Sequence, residues 1–326
     1  MTDVYVHALS LMGTVVSFQV VGHDTSGGDA LDPRAGVERA VAWFQRVEAS
    51  CNRFDEASEV RQLSARIGVP VEASPMLFEA VRFAIAVAED TGGAFDPTVG
   101  LDLEARGFNR EYRSGRAVCT DMERADDVSF RDVHVDPNAR TITLRRPLVL
   151  DLGAVAKGLA IDMAARELQP FVDFAVDAGG DLYLGGCGPS GEPWAVGIRD
   201  PRDESRLIDT LRVSDLAVCT SGDYARRVAG TSDHHILDPR SRTTASEAAS
   251  VTVIAPTALA ADALGTAAFV LGPHEGVRLL ERHGVDGVIL SPTLERFATR
   301  GMSRDIHRGD APAPAGGSAA AILPHA

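Results

Sequence analysis

Two side-chain oxygens lie four residues apart in an otherwise apolar segment, at Asp262 and Thr266. Residues at i and i+4 share one face of a helix, so both side chains point the same way in the helix predicted over 258–271. An ionised carboxylate among apolar residues is costly unless a charge compensates it. The sequence nearby places no lysine or arginine on that face, and the nearest cation is Arg278, beyond the helix end. A hard divalent cation such as Mg²⁺ would remove the cost. Alternatively, Asp262 caps the helix and Thr266 bonds back to a carbonyl.

A glycine turn followed by a helix of small residues forms a second candidate site. The apolar run 147–150 predicts a strand, and Gly153 then opens a helix that ends near Leu168, before Pro170. Backbone N–H groups and the helix dipole favour an anion at such a terminus, and Lys157 adds a positive charge suited to phosphate. The segment matches neither a Walker A loop nor a dinucleotide fingerprint. A plain strand-to-helix turn with a surface lysine explains it equally well.

Composition restricts the class of protein and of partner. The chain has 326 residues, of which 45 % are hydrophobic and 24 % charged, as in ordinary globular domains. Its formal net charge of −14 argues against binding to nucleic acid or to anionic membranes. Its 4 cysteines form no C-x-x-C pair, so neither a zinc site nor a disulfide framework is predicted. No apolar run approaches the ~20 residues of a membrane span, and no signal peptide or lipid-anchor cysteine is present. We therefore expect a cytoplasmic protein without membrane insertion.

The apolar pattern predicts an α+β fold, because strands do not alternate strictly with helices. Helices are expected at 37–50, 58–65, 75–89, 154–168, 258–271 and 275–283. Strands are expected at 4–9, 14–21, 132–136, 141–144, 171–176, 181–184, 194–198, 206–213, 216–219, 234–237, 250–254 and 285–290. The polar stretch 107–127 is expected to run over the surface. The last residues are too rich in Ala, Pro and Gly to bury a core. We expect one folded unit over 1–308 and a disordered tail over 309–326.

Four further motifs place polar groups beside turns. They are A-F-D-P-T-V-G with Asp96, D-A-G-G-D with Gly180 and Asp181, T-S-G-D-Y with Ser221 and Asp223, and H-H-I-L-D-P-R with His234 and His235. Each by itself is typical of an ordinary turn. The glycine pair would also let the backbone approach a ligand closely. Imidazole titrates near neutrality and is therefore a candidate for proton transfer.

The order and spacing of these motifs together resemble the ApbE family, the FAD:protein FMN transferases. That family's pattern runs M-G-T, S-E with a nearby aromatic, F-D-x-T-V-G, D-L-G-x-x-A-K-G, G-G-D, T-S-G-D-Y, H-I-x-D-P and A-D-A-x-x-T. The sequence shows Met12-Gly13-Thr14, then Arg53-Phe54-Asp55 with Ser58-Glu59, and every later motif in the same order. The resemblance extends from about Leu9 to Leu290.

The resemblance implies an ApbE-like α+β unit, related to the T-fold, with a flavin cleft between two lobes. It also implies Mg²⁺-dependent transfer of FMN from FAD to a Ser or Thr hydroxyl of an acceptor protein, with release of AMP. One alternative is a Mg²⁺-dependent FAD pyrophosphatase, in which water replaces the acceptor. Another is a non-catalytic flavin-binding protein.

Roles for individual residues follow from the resemblance, position by position. The implied metal ligands are Asp262, Thr266 and the backbone carbonyl of Ala156. The implied FAD contacts are Met12, Phe54, Lys157, Gly180, Asp181 and Ser221. Lys157 would face the pyrophosphate, Asp181 the nucleotide half, and Phe54 would stack on the flavin ring where relatives often carry Tyr. His235 is the candidate base, with Asp96 and Asp223 as further polar candidates. Arg242 stands where the family usually has glycine.

Overall fold

Six helices and fifteen strands form the described part of the protein, which in this computed structural model comprises residues 3–22, 31–123, 125, 127–227 and 233–303. The helices are α1 (Pro33–Cys51), α2 (Glu59–Ser64), α3 (Pro75–Asp90), α4 (Gly100–Ala105), α5 (Gly153–Leu168) and α6 (Ala258–Arg282). The strands are β1 (Val4–Leu11), β2 (Thr14–Val21), β3 (Val71–Glu72), β4 (Val133–Asp136), β5 (Thr141–Leu144), β6 (Phe174–Ala178), β7 (Asp181–Gly185), β8 (Trp194–Asp200), β9 (Asp203–Val213), β10 (Leu216–Gly222), β11 (Leu237–Asp238), β12 (Thr243–Thr244), β13 (Ser250–Ala255), β14 (Asp286–Leu290) and β15 (Arg296–Ala298). The predicted α+β class is confirmed.

The central element is an eight-stranded sheet in the order β1-β2-β6-β7-β10-β13-β14-β15, with every neighbouring pair antiparallel. Side chains alternate between its two faces. On β6, Phe174 and Val176 point into the core with the helices, whereas Ala175 belongs to a second core. The β8–β9 hairpin covers that second face, where Trp194 is 1 % exposed and donates to the carbonyl of Gly185. The two faces of one sheet therefore have different coverings.

Helices α5 and α6 lie side by side on the first face of the sheet, where α5 packs on β6 and β7 and α6 packs on β10 and β13. Their backbones approach closely at Gly158, where an added Cβ would lie 2.5 Å from the carbonyl oxygen of Ala258. Only glycine fits such an approach. This contact brings the D-L-G-x-x-A-K-G segment beside the A-D-A-x-x-T segment. None of the helices in the described ranges is both long and apolar enough to cross a membrane.

Two local predictions need correction. The run 147–150 forms no strand, because its backbone pairs with the start of α4 instead: the carbonyl of Val149 accepts from Gly100 N–H. The strand predicted at 234–237 is reduced to β11, since His234 makes only an isolated bridge to Arg227. The two helices predicted over 258–283 are the two parts of α6, separated by the non-helical backbone of Gly272, whose φ is 76°. The tail predicted at 309–326 lies outside the described residues.

Candidate active site

Lys157, Asp181 and Asp262 form a buried charge cluster where α5, β7 and α6 meet. The Nζ atom of Lys157 contacts Asp181 Oδ2 and lies 3.7 Å from Asp262 Oδ2. The two aspartates are 2 % and 6 % exposed. The expectation that Asp262 has no cation nearby is therefore wrong. Its compensating charge comes from a different helix, a hundred residues earlier in the sequence, because α5 packs on α6.

The buried charge cluster has two carboxylates for one ammonium group. Asp181 Oδ1 accepts from Thr220 N–H at 2.9 Å, but Asp262 Oδ2 accepts no hydrogen bond from any described residue. Burial raises the pKa of Asp262, and the charges of Lys157 and Arg226 oppose that rise. A buried carboxylate oxygen without a donor is costly. A further cation at Asp262 would compensate it, so the residues present fit a hard metal ion.

The remaining ligands of such an ion must come from other groups. No set of three or more His, Cys, Asp or Glu side chains within the described ranges is placed to hold a metal. Mg²⁺ is bound in many sites by one or two protein carboxylates plus phosphate oxygens and water. Thr266, one turn after Asp262 on α6, is partly exposed, and Ala156 lies one residue before Lys157 on α5. Thr266 thus shares a helix face with Asp262, and Ala156 adjoins the lysine whose ammonium group lies 3.7 Å from Asp262.

The start of α5 differs from the predicted anion cradle. Gly153 N–H donates to Asp151 Oδ1 at 2.8 Å, and the N–H groups of Val155 and Ala156 donate to Leu152 O at 3.0 and 2.7 Å. These three donors are already used within the turn. A phosphate contact here therefore depends on the ammonium group of Lys157 more than on the backbone.

A buried arginine connects this turn to the aromatic motif. Arg53 is 5 % exposed, and its Nε donates to Asp151 Oδ2 at 2.5 Å while Nη2 donates to the carbonyl of Phe108 at 2.6 Å. Its guanidinium carbon lies 4.1 Å from the ring centroid of Phe54. Although burial raises the pKa of Asp151, Arg53 and the Gly153 N–H hold it below its usual value. Sequence reasoning quoted Arg53 and Asp151 within motifs but assigned them no role.

His235 has one ring nitrogen engaged. Its Nδ1 lies 3.2 Å from the carbonyl of Ala225. A carbonyl only accepts, so this contact requires Nδ1–H and leaves the lone pair on Nε2. Burial, together with the charges of Arg226 and His234, lowers the pKa of His235 to about 3. The ring is therefore neutral near pH 7 and can accept a proton, although a pKa this low makes it a weaker base than an ordinary histidine. Arg226 is a further site residue that sequence reasoning missed, two positions after the T-S-G-D-Y motif.

His234 has both ring nitrogens engaged. It is 4 % exposed, with Nε2 2.9 Å from the carbonyl of Ala245 and Nδ1 accepting from Ile236 N–H at 3.3 Å. Its ring also packs edge-on against Phe269. Of the two adjacent histidines, His235 is thus the one with a nitrogen left for chemistry. The sequence alone did not distinguish them.

The two other acidic candidates are held by hydrogen bonds. Asp96 accepts from the N–H and the hydroxyl of Thr98 and from Phe130 N–H, and burial raises its pKa. Asp223 accepts two bonds of 2.7 Å from one arginine and one of 3.2 Å from another. We call this second group the Asp223 cluster; it consists of Asp223, Arg202 and Arg227. These hydrogen bonds hold the loops around Asp96 and Asp223 in place. They occupy the carboxylate oxygens that a proton transfer would need.

The remaining predicted FAD contacts lie at turns and strand ends. Met12 has a φ of 51° in the β1–β2 turn, and its N–H donates to Glu48 at 3.2 Å. Gly180 has a φ of 93°, which favours glycine. Ser221 lies against α6, because a Cβ added to Gly265 would be 3.5 Å from its Oγ. Ser221 is therefore close to the helix that carries the metal-ligand candidates.

The chain is similar to known proteins of one family. The sequence model of the ApbE family matches residues 12–289. The FAD:protein FMN transferase of Treponema pallidum is 32 % identical, with 91 % of this chain and 87 % of that protein aligned. The FAD:protein FMN transferase of Haemophilus influenzae is 27 % identical, with 82 % and 81 % aligned.

Solved structures show the same fold. The ApbE protein from Thermotoga maritima superposes with a TM-score of 0.80 at 30 % identity, covering 92 % of this chain and 98 % of that chain. The flavin transferase ApbE from Vibrio cholerae superposes with a TM-score of 0.79 at 23 % identity, over 94 % and 100 % of the two chains. The family match spans the segment from the β1–β2 turn to β14, which includes every candidate site residue. The chain belongs to the ApbE family.

Proposed function

We propose that this protein is a FAD:protein FMN transferase that moves the FMN half of FAD onto a Ser or Thr hydroxyl of an acceptor protein and releases AMP. The observation that carries the proposal is the buried charge cluster, in which Asp262 Oδ2 lacks a hydrogen-bond donor beside the ammonium group of Lys157. That combination suits a divalent cation and a phosphate. Family membership supplies the reaction, because the aligned relatives bear the name of this transferase.

Asp262, Thr266 and the backbone carbonyl of Ala156 are the proposed Mg²⁺ ligands. An ion held there would neutralise charge on the pyrophosphate and stabilise the leaving phosphate of AMP. Lys157 adds a second positive charge for the pyrophosphate. The buried Asp181 holds Lys157 in place. Its Oδ2 contacts the ammonium group, and its Oδ1 accepts from Thr220 N–H.

The flavin end of FAD is proposed to lie against Met12 and Phe54. The guanidinium of Arg53 occupies one face of the Phe54 ring, so the other face is the one assigned to the isoalloxazine. Aromatic stacking of this kind contributes about 0.5–1.5 kcal/mol beyond the area buried. Gly180 and Ser221 are proposed to let the backbone and a hydroxyl approach the nucleotide.

The transfer itself requires one proton acceptor. The acceptor hydroxyl oxygen attacks the phosphorus of the FMN half, and its proton moves to Nε2 of His235. The bond between that phosphorus and the bridging oxygen breaks, and the electron pair leaves with AMP. Nothing is oxidised or reduced. The Nδ1–H contact of His235 with Ala225 O keeps the lone pair on the nitrogen that takes the proton.

The test is to incubate the full chain with FAD, Mg²⁺ and a flavin-acceptor domain that carries a single target threonine. We expect the acceptor to gain the mass of one FMN less one water for each AMP released, and an acceptor with that threonine replaced by alanine to gain none. Free FMN and AMP without labelled acceptor would identify a pyrophosphatase. FAD binding without AMP would identify a non-catalytic flavin-binding protein. Either of those results would contradict the proposal.

A further inference from the structure

Helix α6 carries the proposed metal ligands Asp262 and Thr266. The N–H groups at its start donate to a carboxylate of another helix, α5. Asp162 Oδ1 accepts from Ala258 N–H at 2.7 Å, and its Oδ2 accepts from Leu259 N–H at 3.0 Å. The first N–H groups of a helix have no partner within the helix. Asp162 provides that partner from α5, 96 residues away from Ala258 in the sequence.

The backbones of the two helices touch at the same place. A Cβ on Gly158 would lie 2.5 Å from the carbonyl oxygen of Ala258 and 2.6 Å from the Cα of Leu259. Gly158 and Asp162 are four residues apart and therefore share one face of α5. We call this contact the α5–α6 joint, formed by Gly158, Asp162, Ala258 and Leu259. Through the joint, a displacement of the start of α6 must displace α5 as well.

Asp162 and Thr257 bind different N–H groups at the start of α6. The hydroxyl of Thr257 accepts from Ala260 N–H at 3.2 Å, whereas Asp162 accepts from Ala258 and Leu259 N–H. Burial raises the pKa of Asp162 to about 6, so this carboxylate is costly to keep charged. Because it belongs to α5, it also fixes the start of α6 relative to α5, which the local cap Thr257 does not do.

The joint lies beside both halves of the proposed metal site. Ala156 precedes Gly158 by two residues, and Asp262 follows Ala258 by four, about 6 Å along the helix axis. Mg²⁺ demands near-ideal octahedral geometry and tolerates little displacement of its ligands. We propose that Asp162 is a positioning residue, which fixes the carbonyl of Ala156 relative to Asp262. This inference rests on the proposed function, because it assumes those metal ligands.

The test measures metal binding directly, with Mn²⁺ as an EPR probe titrated into the full chain saturated with FAD. Asp162→Asn keeps the size of the side chain but loses the charge and one of the two acceptor oxygens. We expect its Kd for Mn²⁺ to rise by about tenfold, the lower end of the loss seen when groups that orient metal ligands are removed. The affinity for riboflavin, which has no phosphate, is expected to stay unchanged. Thr257→Ala is the matched control: it removes a cap from the same helix and should lower the melting temperature without changing the Kd for Mn²⁺.

Gly158→Ala provides a second variant in case Asp162→Asn does not fold. It forces the backbones of the joint apart without altering a charge, and the same weakening of Mn²⁺ binding is expected. Wild-type Mn²⁺ affinity in both Gly158→Ala and Asp162→Asn, together with a loss in Asp262→Asn, would overturn the inference and leave the metal site standing. Wild-type affinity in Asp262→Asn as well would overturn both the inference and the proposed metal site.

Discussion

The buried charge cluster and the Asp223 cluster both combine aspartate with basic side chains, but they differ in how completely the charges are paired. Asp223 receives three hydrogen bonds from two arginines whose side chains are 36 % and 46 % exposed. Asp262 is almost inaccessible, and one of its oxygens has no donor among the described residues. Buried polar groups are normally satisfied by partners. An incompletely satisfied buried charge therefore indicates a ligand site, whereas a fully paired one at the surface indicates scaffold.

The two adjacent histidines also differ in how many of their polar atoms are bonded. His234 uses both ring nitrogens for the backbone carbonyl of Ala245 and the N–H of Ile236, and it is buried. His235 uses one nitrogen and retains the other. In both comparisons, the group with an unused polar atom is the one placed in the proposed chemistry. We therefore expect substitutions of Asp262 and His235 to reduce activity more than substitutions of Asp223 and His234.

The largest effect is expected at Asp262. Asp262→Asn should reduce FMN transfer at saturating FAD and Mg²⁺ by about 10³-fold, because loss of metal binding removes several kcal/mol of transition-state stabilisation. Asp223→Asn should change the rate by less than about threefold, as exposed ion pairs contribute only about 0–1 kcal/mol. Acceptor labelling followed by mass spectrometry measures both rates. A larger loss in Asp223→Asn than in Asp262→Asn would break the comparison.

The next effect concerns the histidines. His235→Ala should lower turnover by about 10²–10⁴-fold, the usual contribution of a general base, with little change in FAD affinity. His234→Ala should instead lower the free energy of unfolding by about 1–3 kcal/mol, because it leaves buried backbone groups unpaired. Steady-state kinetics, FAD titration and thermal unfolding separate the two outcomes. If His235→Ala loses FAD affinity in proportion to rate, the histidine binds FAD and is not the base.

The lowered pKa of His235 predicts the shape of the pH profile. A base with the ordinary histidine pKa near 6.5 would lose about 30-fold of its activity between pH 8 and pH 5. His235 has a pKa of about 3, so it stays neutral over this range and kcat/KM should show no such loss. Unfolded His235 takes up a proton as the pH falls below about 6.5, whereas the folded residue does not. Folding stability should therefore fall on acidification, and less so in His235→Asn. An acid limb of kcat/KM near pH 6.5 that disappears in His235→Asn would contradict the prediction.

The smallest effect is expected at Lys157. Lys157→Ala should weaken FAD binding by about fivefold, equivalent to about 1 kcal/mol for one charge-assisted contact, and leave riboflavin binding unchanged. Flavin fluorescence titrations with both ligands measure the difference. Arg202→Ala, which removes a charge from the Asp223 cluster, serves as control and should alter neither affinity. Equal losses for FAD and riboflavin would show that Lys157 does not contact the phosphates.

Much of the fold followed from local pattern. The local sequence pattern predicted α1, α3 and α5 to within a few residues. The shared helix face of Asp262 and Thr266 followed from their spacing of four, which holds for any α-helix. The order of the motifs indicated the family. These features depend on residues near one another in the chain, and sequence displays such relations directly.

Contacts between distant segments did not follow from pattern. The β8–β9 hairpin was predicted as two strands, but nothing local indicated that it covers the second face of the sheet. The apolar run 147–150 has a strand-like sequence and instead pairs with the first residue of α4. An apolar stretch shows that a segment is buried but does not show what buries it.

Sequence by itself determined the residue types of the site and the helix face they share. Only the tertiary structure decided which charges are paired: Lys157 with Asp181 and Asp262, Arg53 with Asp151, and Asp162 with the start of α6. It also decided that His235, and not His234, has a ring nitrogen without a partner among the described residues. The physical reason is that these pairings depend on how closely α5 and α6 approach each other and the sheet. That distance is set by the packing of small residues such as Gly158 across elements far apart in the chain.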